Sequence, residues 1–153
     1  MKSYQIKASA IIKAPAKNIY VLLIDYRDGH PHILPKKYFS TPEIEKGGVG
    51  AGTVIRFQMT VMGKTQTFRV AITEPQPGSV LVETDVETGT VTTFTVNPTP
   101  NGDHSNVTIA TELKSRNGFL GILERFTTTR LLNRIYKEEL KLIQTLAAER
   151  SRP

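Results

Sequence analysis

Between Tyr4 and Leu113 apolar residues recur at every second position in short runs, whereas from Phe119 to about Ala148 they recur at every third or fourth. The first spacing is that of strands buried on one face, and the second is that of a helix. In the late segment Leu120, Leu123, Phe126, Leu131, Ile135, Leu142 and Leu146 form the expected stripe. No proline interrupts it, and Gly121 is its one glycine. At 1.5 Å per residue such a helix is roughly 40 Å long. One long helix appended to a strand-rich chain has to lay its stripe on the sheet. A curved antiparallel sheet closed by a single helix tends to leave a cavity. The pattern therefore points to a ligand-holding module before it points to any chemistry.

The remaining elements follow from local signals. Residues 4–12 predict a strand ending in Ile11-Ile12, and Pro15 then opens a helix at a position where its missing N–H costs nothing. Ile19, Tyr20, Leu22 and Leu23 give that helix its apolar face. The stretch Asp25 to Pro35 is irregular and holds a short second helix stopped by Pro35. A meander follows. Strands are expected at 39–46, 53–62, 65–74, 79–86 and 90–97, and the last runs through Val107, Ile109, Thr111 and Leu113. The glycine turn at 47–52, a hairpin at Gly63-Lys64 and a turn at Pro75-Gln76-Pro77-Gly78 separate some of them. Spacings of about 8–12 residues suit antiparallel pairing.

Composition narrows the class. A chain of 153 residues reads as one domain over 1–149, with a frayed tail at 150–153. Hydrophobic content of 39% and charged content of 22% fit a folded globular protein. No apolar run approaches the roughly 20 residues of a spanning helix. The opening Met1-Lys2-Ser3-Tyr4-Gln5 carries no apolar signal core, so the cytoplasm is the expected location. With no cysteine, disulfides, thiolate nucleophiles and Cys-ligated metals are excluded. The net charge is +6, and residues 114–153 hold nine Lys or Arg against four Glu, a local excess of +5. Because the acids are interleaved, this reads as a solvated helix face, with a surface that attracts anionic membrane or nucleic acid as the sharper alternative.

Few residues suggest chemistry. A dinucleotide loop needs a helix after it, and a strand follows the glycines at 47–52, so they read as a flexible hairpin turn. Gly63-Lys64-Thr65 imitates the end of a phosphate loop, but Gln58 stands where the first glycine is required. His30 and His32 read as surface loop residues. A metal site made with Asp25, or an acid–base or gating role, are the alternatives. Arg56, Arg69 and Glu83 read as solvated cross-strand charges; any one of them turned inward would need a partner and become a functional candidate. Thr127, Thr128 and Thr129 interrupt the helical stripe. Their hydroxyls bond back to the helix or supply polar contacts in a pocket.

Four segments resemble the START-like superfamily, the helix-grip fold shared with Bet v 1 allergens and polyketide cyclases. IIKAPAKNIYVLLIDYRDGHPHILP looks like its opening strand and helices, and GGVGAGTVIRF like its glycine turn. TEPQPGSVLVETD looks like a later strand turn, and GILERFTTTRLLNRIYKEELKLI like its closing helix. The resemblance implies an α+β fold: a curved antiparallel sheet of about seven strands wrapped on the long C-terminal helix, with two short helices after strand 1. It implies a hydrophobic small molecule, a lipid, polyketide or similar, held or carried between sheet and helix, with no cofactor and no metal. In such a fold core and pocket wall are one surface. The implied ligand-binding positions are therefore Ile55, Phe57, Met59, Phe68, Val70, Phe94 and Ile109 on strands, and Leu123, Phe126, Thr127 and Leu131 on the helix. Tyr26 and His30 are expected near the mouth, with residues 25–35 acting as a lid. Alternatives are a cyclase or aromatase using Tyr26, His30 or His32 to move protons, and a lipid or quinone chaperone docking on membrane through the basic helix. No catalytic set is assigned, no nucleic-acid partner is expected, and the state is monomer or dimer.

Overall fold

The computed structural model describes residues 2–150. Seven strands form one antiparallel sheet: β1 Lys2–Ile12, β2 Glu43–Lys46, β3 Val54–Val61, β4 Lys64–Gln76, β5 Val80–Asp85, β6 Val91–Pro98 and β7 Ser105–Ser115. Helix α1, Ala16–Ile24, and a 3-10 helix, His30–Ile33, follow β1, and helix α2, Phe119–Arg150, ends the described chain. The expected tail beyond Arg150 lies outside the described residues. The spatial order is β1-β7-β6-β5-β4-β3-β2, so the first strand pairs with the last and the rest is a meander. This is the helix-grip architecture expected from the sequence.

Alternation along the strands builds the inner face. Tyr4, Ile6 and Ile12 of β1, Leu81 of β5, Phe94 and Val96 of β6, and Val107 and Ile109 of β7 are all buried. Helix α1 adds Ile19, Leu22 and Leu23, and its Tyr20 hydroxyl donates to Glu74 Oε1 at 2.7 Å, tying the helix to β4. The hairpin between β3 and β4 pairs Val61 with Lys64, so its two loop residues are Met62 and Gly63 rather than Gly63 and Lys64. Both have positive φ, 51° and 77°, the requirement of a type I′ turn.

Two sequence expectations change here. The glycines at 47–52 turn β2 into its antiparallel partner β3, as expected, but they also clamp the end of α1. Tyr26 N–H donates to Gly48 O, Gly50 N–H donates to Ile24 O, and Arg27 Nη2 donates to Gly47 O. Gly48 sits against the Arg27 guanidinium at a φ of 146°, a backbone conformation that L side chains rarely adopt, so this position favours glycine.

The second change is in α2, where one continuous stripe was expected and two are found. At 100° per residue Phe119, Ile122, Leu123 and Phe126 share one side of the helix, and all are more than half exposed. Gly121 faces the opposite way and is buried, and that covered side continues through Ile135, Tyr136, Glu139, Leu140, Ile143 and Ala147. Leu142 and Leu146 flank it, half-buried. The apolar stripe therefore swaps sides partway along, and only the second half of α2 closes the core against β1, β7 and the 3-10 helix.

Candidate functional site

Between the sheet and the second half of α2 lies a cavity of about 150 Å³. One wall is apolar and largely aromatic. The pair Phe57 and Phe68, partners in the β3–β4 register, stack with centroids 5.5 Å apart, and Phe39 meets Phe57 edge-on at 5.8 Å. Ile55, Met59 and Val70 complete that wall.

The opposite wall carries polar groups. In β5 the inward phase reads Leu81, Glu83, Asp85, and the register sets Glu83 beside Thr92 and Thr92 beside Thr111. A polar row thus crosses three strands. Thr92 and Thr111 share a hydroxyl hydrogen bond of 2.8 Å, and Thr111 bonds the Tyr136 hydroxyl from α2. At the Glu83 end, Tyr26 donates its hydroxyl to Glu83 Oε2 at 2.9 Å, and His30 Nε2 stands 3.5 Å from the same oxygen. The His30 ring stacks on Tyr26 at 4.5 Å and meets Phe94 edge-on at 5.3 Å. Its Nδ1 lies 2.8 Å from Leu23 O, an acceptor only, so Nδ1 carries a proton, and Nε2 donates to Glu83 only in the doubly protonated ring.

Burial tunes these groups. It holds the Tyr26 hydroxyl well above its ordinary range, with Glu83 adding to the effect. Tyr136 is raised chiefly by burial as well. Glu139 projects into the cavity from α2, is 3% exposed, and makes no hydrogen bond or ion pair with any described residue. Burial first, and the Glu83 charge second, lift its carboxyl well above the ordinary 4.5. Asp85 also borders the cavity. Its Oδ2 accepts the Thr88 hydroxyl at 2.5 Å, and its Oδ1 is buried without a partner. The Tyr136 hydroxyl and a protonated Glu139 can donate hydrogen bonds to a ligand, while Glu83 can accept.

The sequence-predicted residues divide cleanly. Ile55, Phe57, Met59, Phe68, Val70, Phe94 and His30 all border the cavity. Tyr26 stands behind His30, and Ile109 is packed in the core beside Phe94. Leu131 is half-buried but does not border the cavity; its neighbour Leu132 does. Leu123, Phe126 and Thr127 lie on the uncovered half of α2 and are exposed, so they form no wall. The Thr127 hydroxyl instead bonds back to Leu123 O and Glu124 O.

Three polar expectations are corrected. Glu83 points inward, whereas Arg56 and Arg69 lie outside as expected, with Arg69 paired to Glu45 at 2.6 Å. His30 is 1% exposed rather than a surface residue, although His32 is exposed. Glu139, counted among the solvated acids of the helix, is buried, while Glu138 pairs with Lys37. The metal alternative does not assemble. Asp25 Oδ1 accepts the backbone N–H groups of Arg27 and Asp28, and no described group of three His, Asp or Glu is placed to hold a metal ion.

Comparison with known proteins supports the fold. No family model matches the sequence. No curated protein matches it either. Solved structures do match over nearly the whole chain. The KanY protein aligns over 97% of this chain and 99% of its own, at 23% identity and a TM-score of 0.83. The Zhui aromatase/cyclase from Streptomyces sp. R1128 aligns over 99% and 97%, at 17% identity and a TM-score of 0.77. A START superfamily protein from Mycobacterium smegmatis aligns over 96% and 99%, at 12% identity and a TM-score of 0.75. The chain has the START-like, Bet v 1-like helix-grip fold, as the resemblance of its segments implied. Among the described residues no helix is long and apolar enough to cross a membrane.

Proposed function

We propose that the protein binds a hydrophobic small molecule in the cavity between the sheet and the second half of α2. The observation that carries this reading is the pairing of an aromatic wall with a buried polar row. An apolar cavity of this size takes an aromatic ring, and burial stabilises it by roughly 25 cal/mol per Å². The row from Glu83 through Thr92 and Thr111 to Tyr136 supplies the few polar contacts that orient a ligand. The 3-10 helix brings His30 to the cavity and packs on α2, which fits the lid role expected of residues 25–35.

The chain contains no tryptophan, so indole is a clean probe. Its emission is expected to blue-shift and saturate on titration with the protein. A Val70→Phe variant, which fills the cavity without adding charge or a tryptophan, should lose that response to added indole. An unchanged response in a folded variant overturns the placement. The reading is of a carrier. Recovery of a fed polyketide in chemically altered form would favour a cyclase, the activity in the name of the Zhui protein.

One observation supports a second surface. The uncovered side of α2 presents Phe119, Ile122, Leu123 and Phe126, and Arg130 follows on the same side. Arg130 stands over the Phe126 ring at 5.8 Å, whereas Arg125 sits over Tyr4 and Arg116 pairs with Glu124. Exposed apolar side chains with Arg130 beside them suit an anionic membrane surface, from which a carrier would load or unload. Sedimentation with phosphatidylglycerol-containing vesicles, lost in high salt and in Phe126→Glu, is the expected result. Equal binding to phosphatidylcholine alone contradicts it, and concentration-dependent dimerisation lost in Phe126→Glu would assign the face to a second copy.

A further inference from the structure

The cavity has a charge imbalance that the binding reading does not use. The chain carries 20 Lys and Arg against 14 Asp and Glu, yet every described lysine and arginine is exposed and none borders the cavity. Three acids do: Glu83, Asp85 and Glu139. Glu83 has two partners, the Tyr26 hydroxyl and His30 Nε2. Glu139 has none, although it is 3% exposed and projects into the space. The Oδ1 of Asp85, 5% exposed, is likewise buried and unpartnered. A buried carboxyl without a partner is costly in either protonation state and is uncommon without a functional reason. Across from these acids stand the faces and edges of Phe57, Phe68 and Phe94.

We propose that the ligand this cavity takes is an apolar molecule bearing a positively charged nitrogen, an aryl- or alkylamine. The ammonium is placed at Glu139, and the hydrocarbon part lies against the aromatic wall. This rests on the binding reading above and narrows its ligand class. An ammonium supplies donors, which the lone acceptors lack, and one positive charge, which no lysine or arginine delivers there. Aromatic rings accept the same cation on their faces. A bare metal ion does not fit, because no described set of three His, Asp or Glu is placed to ligate one. In the empty cavity burial and Glu83 both oppose the charge on Glu139 and favour its protonated form. An ammonium beside it reverses that balance, and the proton leaves to solvent as the ion pair forms. The polar groups that border the cavity with Glu139 are Glu83 and Asp85 from β5, Thr90, Thr92 and Thr111, His30 from the 3-10 helix, and Tyr136 from α2 itself, and of these Glu83 opposes its charge.

The test is a matched series on one ring system: tryptamine, tryptophol and indole-3-propionate, with indole itself as the uncharged reference, followed by probe fluorescence at neutral pH. The amine should bind at least about tenfold more tightly than the alcohol, and the acid most weakly. In Glu139→Gln, an isosteric change that keeps the fold, the amine should lose about tenfold while tryptophol changes little. If indole and tryptophol bind and tryptamine shows no preference, or if the acid binds best, the amine assignment fails and the cavity reading stands. Should none of the four bind, including indole, the cavity reading itself falls and takes the amine with it. A preference for tryptamine that survives Glu139→Gln overturns the placement of the charge.

Discussion

The two halves of α2 are built from similar residues and do opposite things. From Phe119 to Arg130 the helix shows its large apolar side chains to solvent and turns Gly121 toward the protein. From Leu131 onward it buries Ile135, Tyr136, Leu140 and Ile143 and inserts an acid, Glu139, into the cavity. Helical spacing is present in both halves, so periodicity alone does not say what a helix covers. The partner surface decides. The second half lies on β1, β7 and the 3-10 helix, whose inward residues match it, and it is there that core and ligand site become one surface.

That contrast can be broken by mutation, and the largest effect is expected in the covered half. Ile143→Ala should cost about 2–5 kcal/mol in denaturant unfolding, as for other fully buried aliphatic truncations. A loss below about 0.5 kcal/mol would mean that the helix is not seated there.

Glu139→Gln should act in the other direction and depend on pH. The folded-state carboxyl titrates above the ordinary 4.5, so the folded chain binds that proton more tightly than the unfolded chain. Below 4.5 both states hold it. As pH rises from 4.5 through the folded-state value, the unfolded chain releases it first and the wild type loses stability. The variant is therefore expected to be the more stable protein at pH 8, by on the order of 1 kcal/mol. The gap should close toward pH 4.5, and a gap independent of pH in thermal unfolding would contradict the burial argument.

Tyr136→Phe removes the hydroxyl that meets Thr111 and should cost about 0.5–1.5 kcal/mol, with Thr111 retaining its bond to Thr92. Smallest of all is Phe126→Ala, on the uncovered half, expected to stay within about 0.5 kcal/mol of wild type. A loss near that of Ile143→Ala would show that Phe126 is covered in solution.

The sheet was legible because alternation in β3, β4 and β7 admits only one inward phase: Ile55, Phe57, Met59; Phe68, Val70, Ile72; Val107, Ile109. The aromatic wall of the cavity was readable with it. The polar wall was not, for a local reason. In Val80-Leu81-Val82-Glu83-Thr84-Asp85 both phases begin with apolar residues, so alternation leaves the direction of Glu83 undecided. Only the register, Leu81 beside Phe94 and Glu83 beside Thr92, turns it inward. Glu138 and Glu139 are equivalent in composition, and a rotation of one residue separates a surface ion pair with Lys37 from a buried carboxyl. His30 was hidden by Pro31, which makes the facing of residues 30–33 irregular until the backbone of α1 is placed. Its Nδ1 contact with Leu23 O then fixes the ring. Leu123 and Phe126 failed as pocket residues because the stripe was read as continuous across a change of side.

The most direct test of the account is a methyl NMR titration of the protein with indole. Shifts confined to the methyl groups of Ile55, Met59, Val70 and Leu132, which all border the cavity, are the predicted result. Shifts concentrated instead on Leu120, Ile122 and Leu123, with the cavity methyls unmoved, would place binding on the exposed half of α2 and contradict a ligand site between sheet and helix.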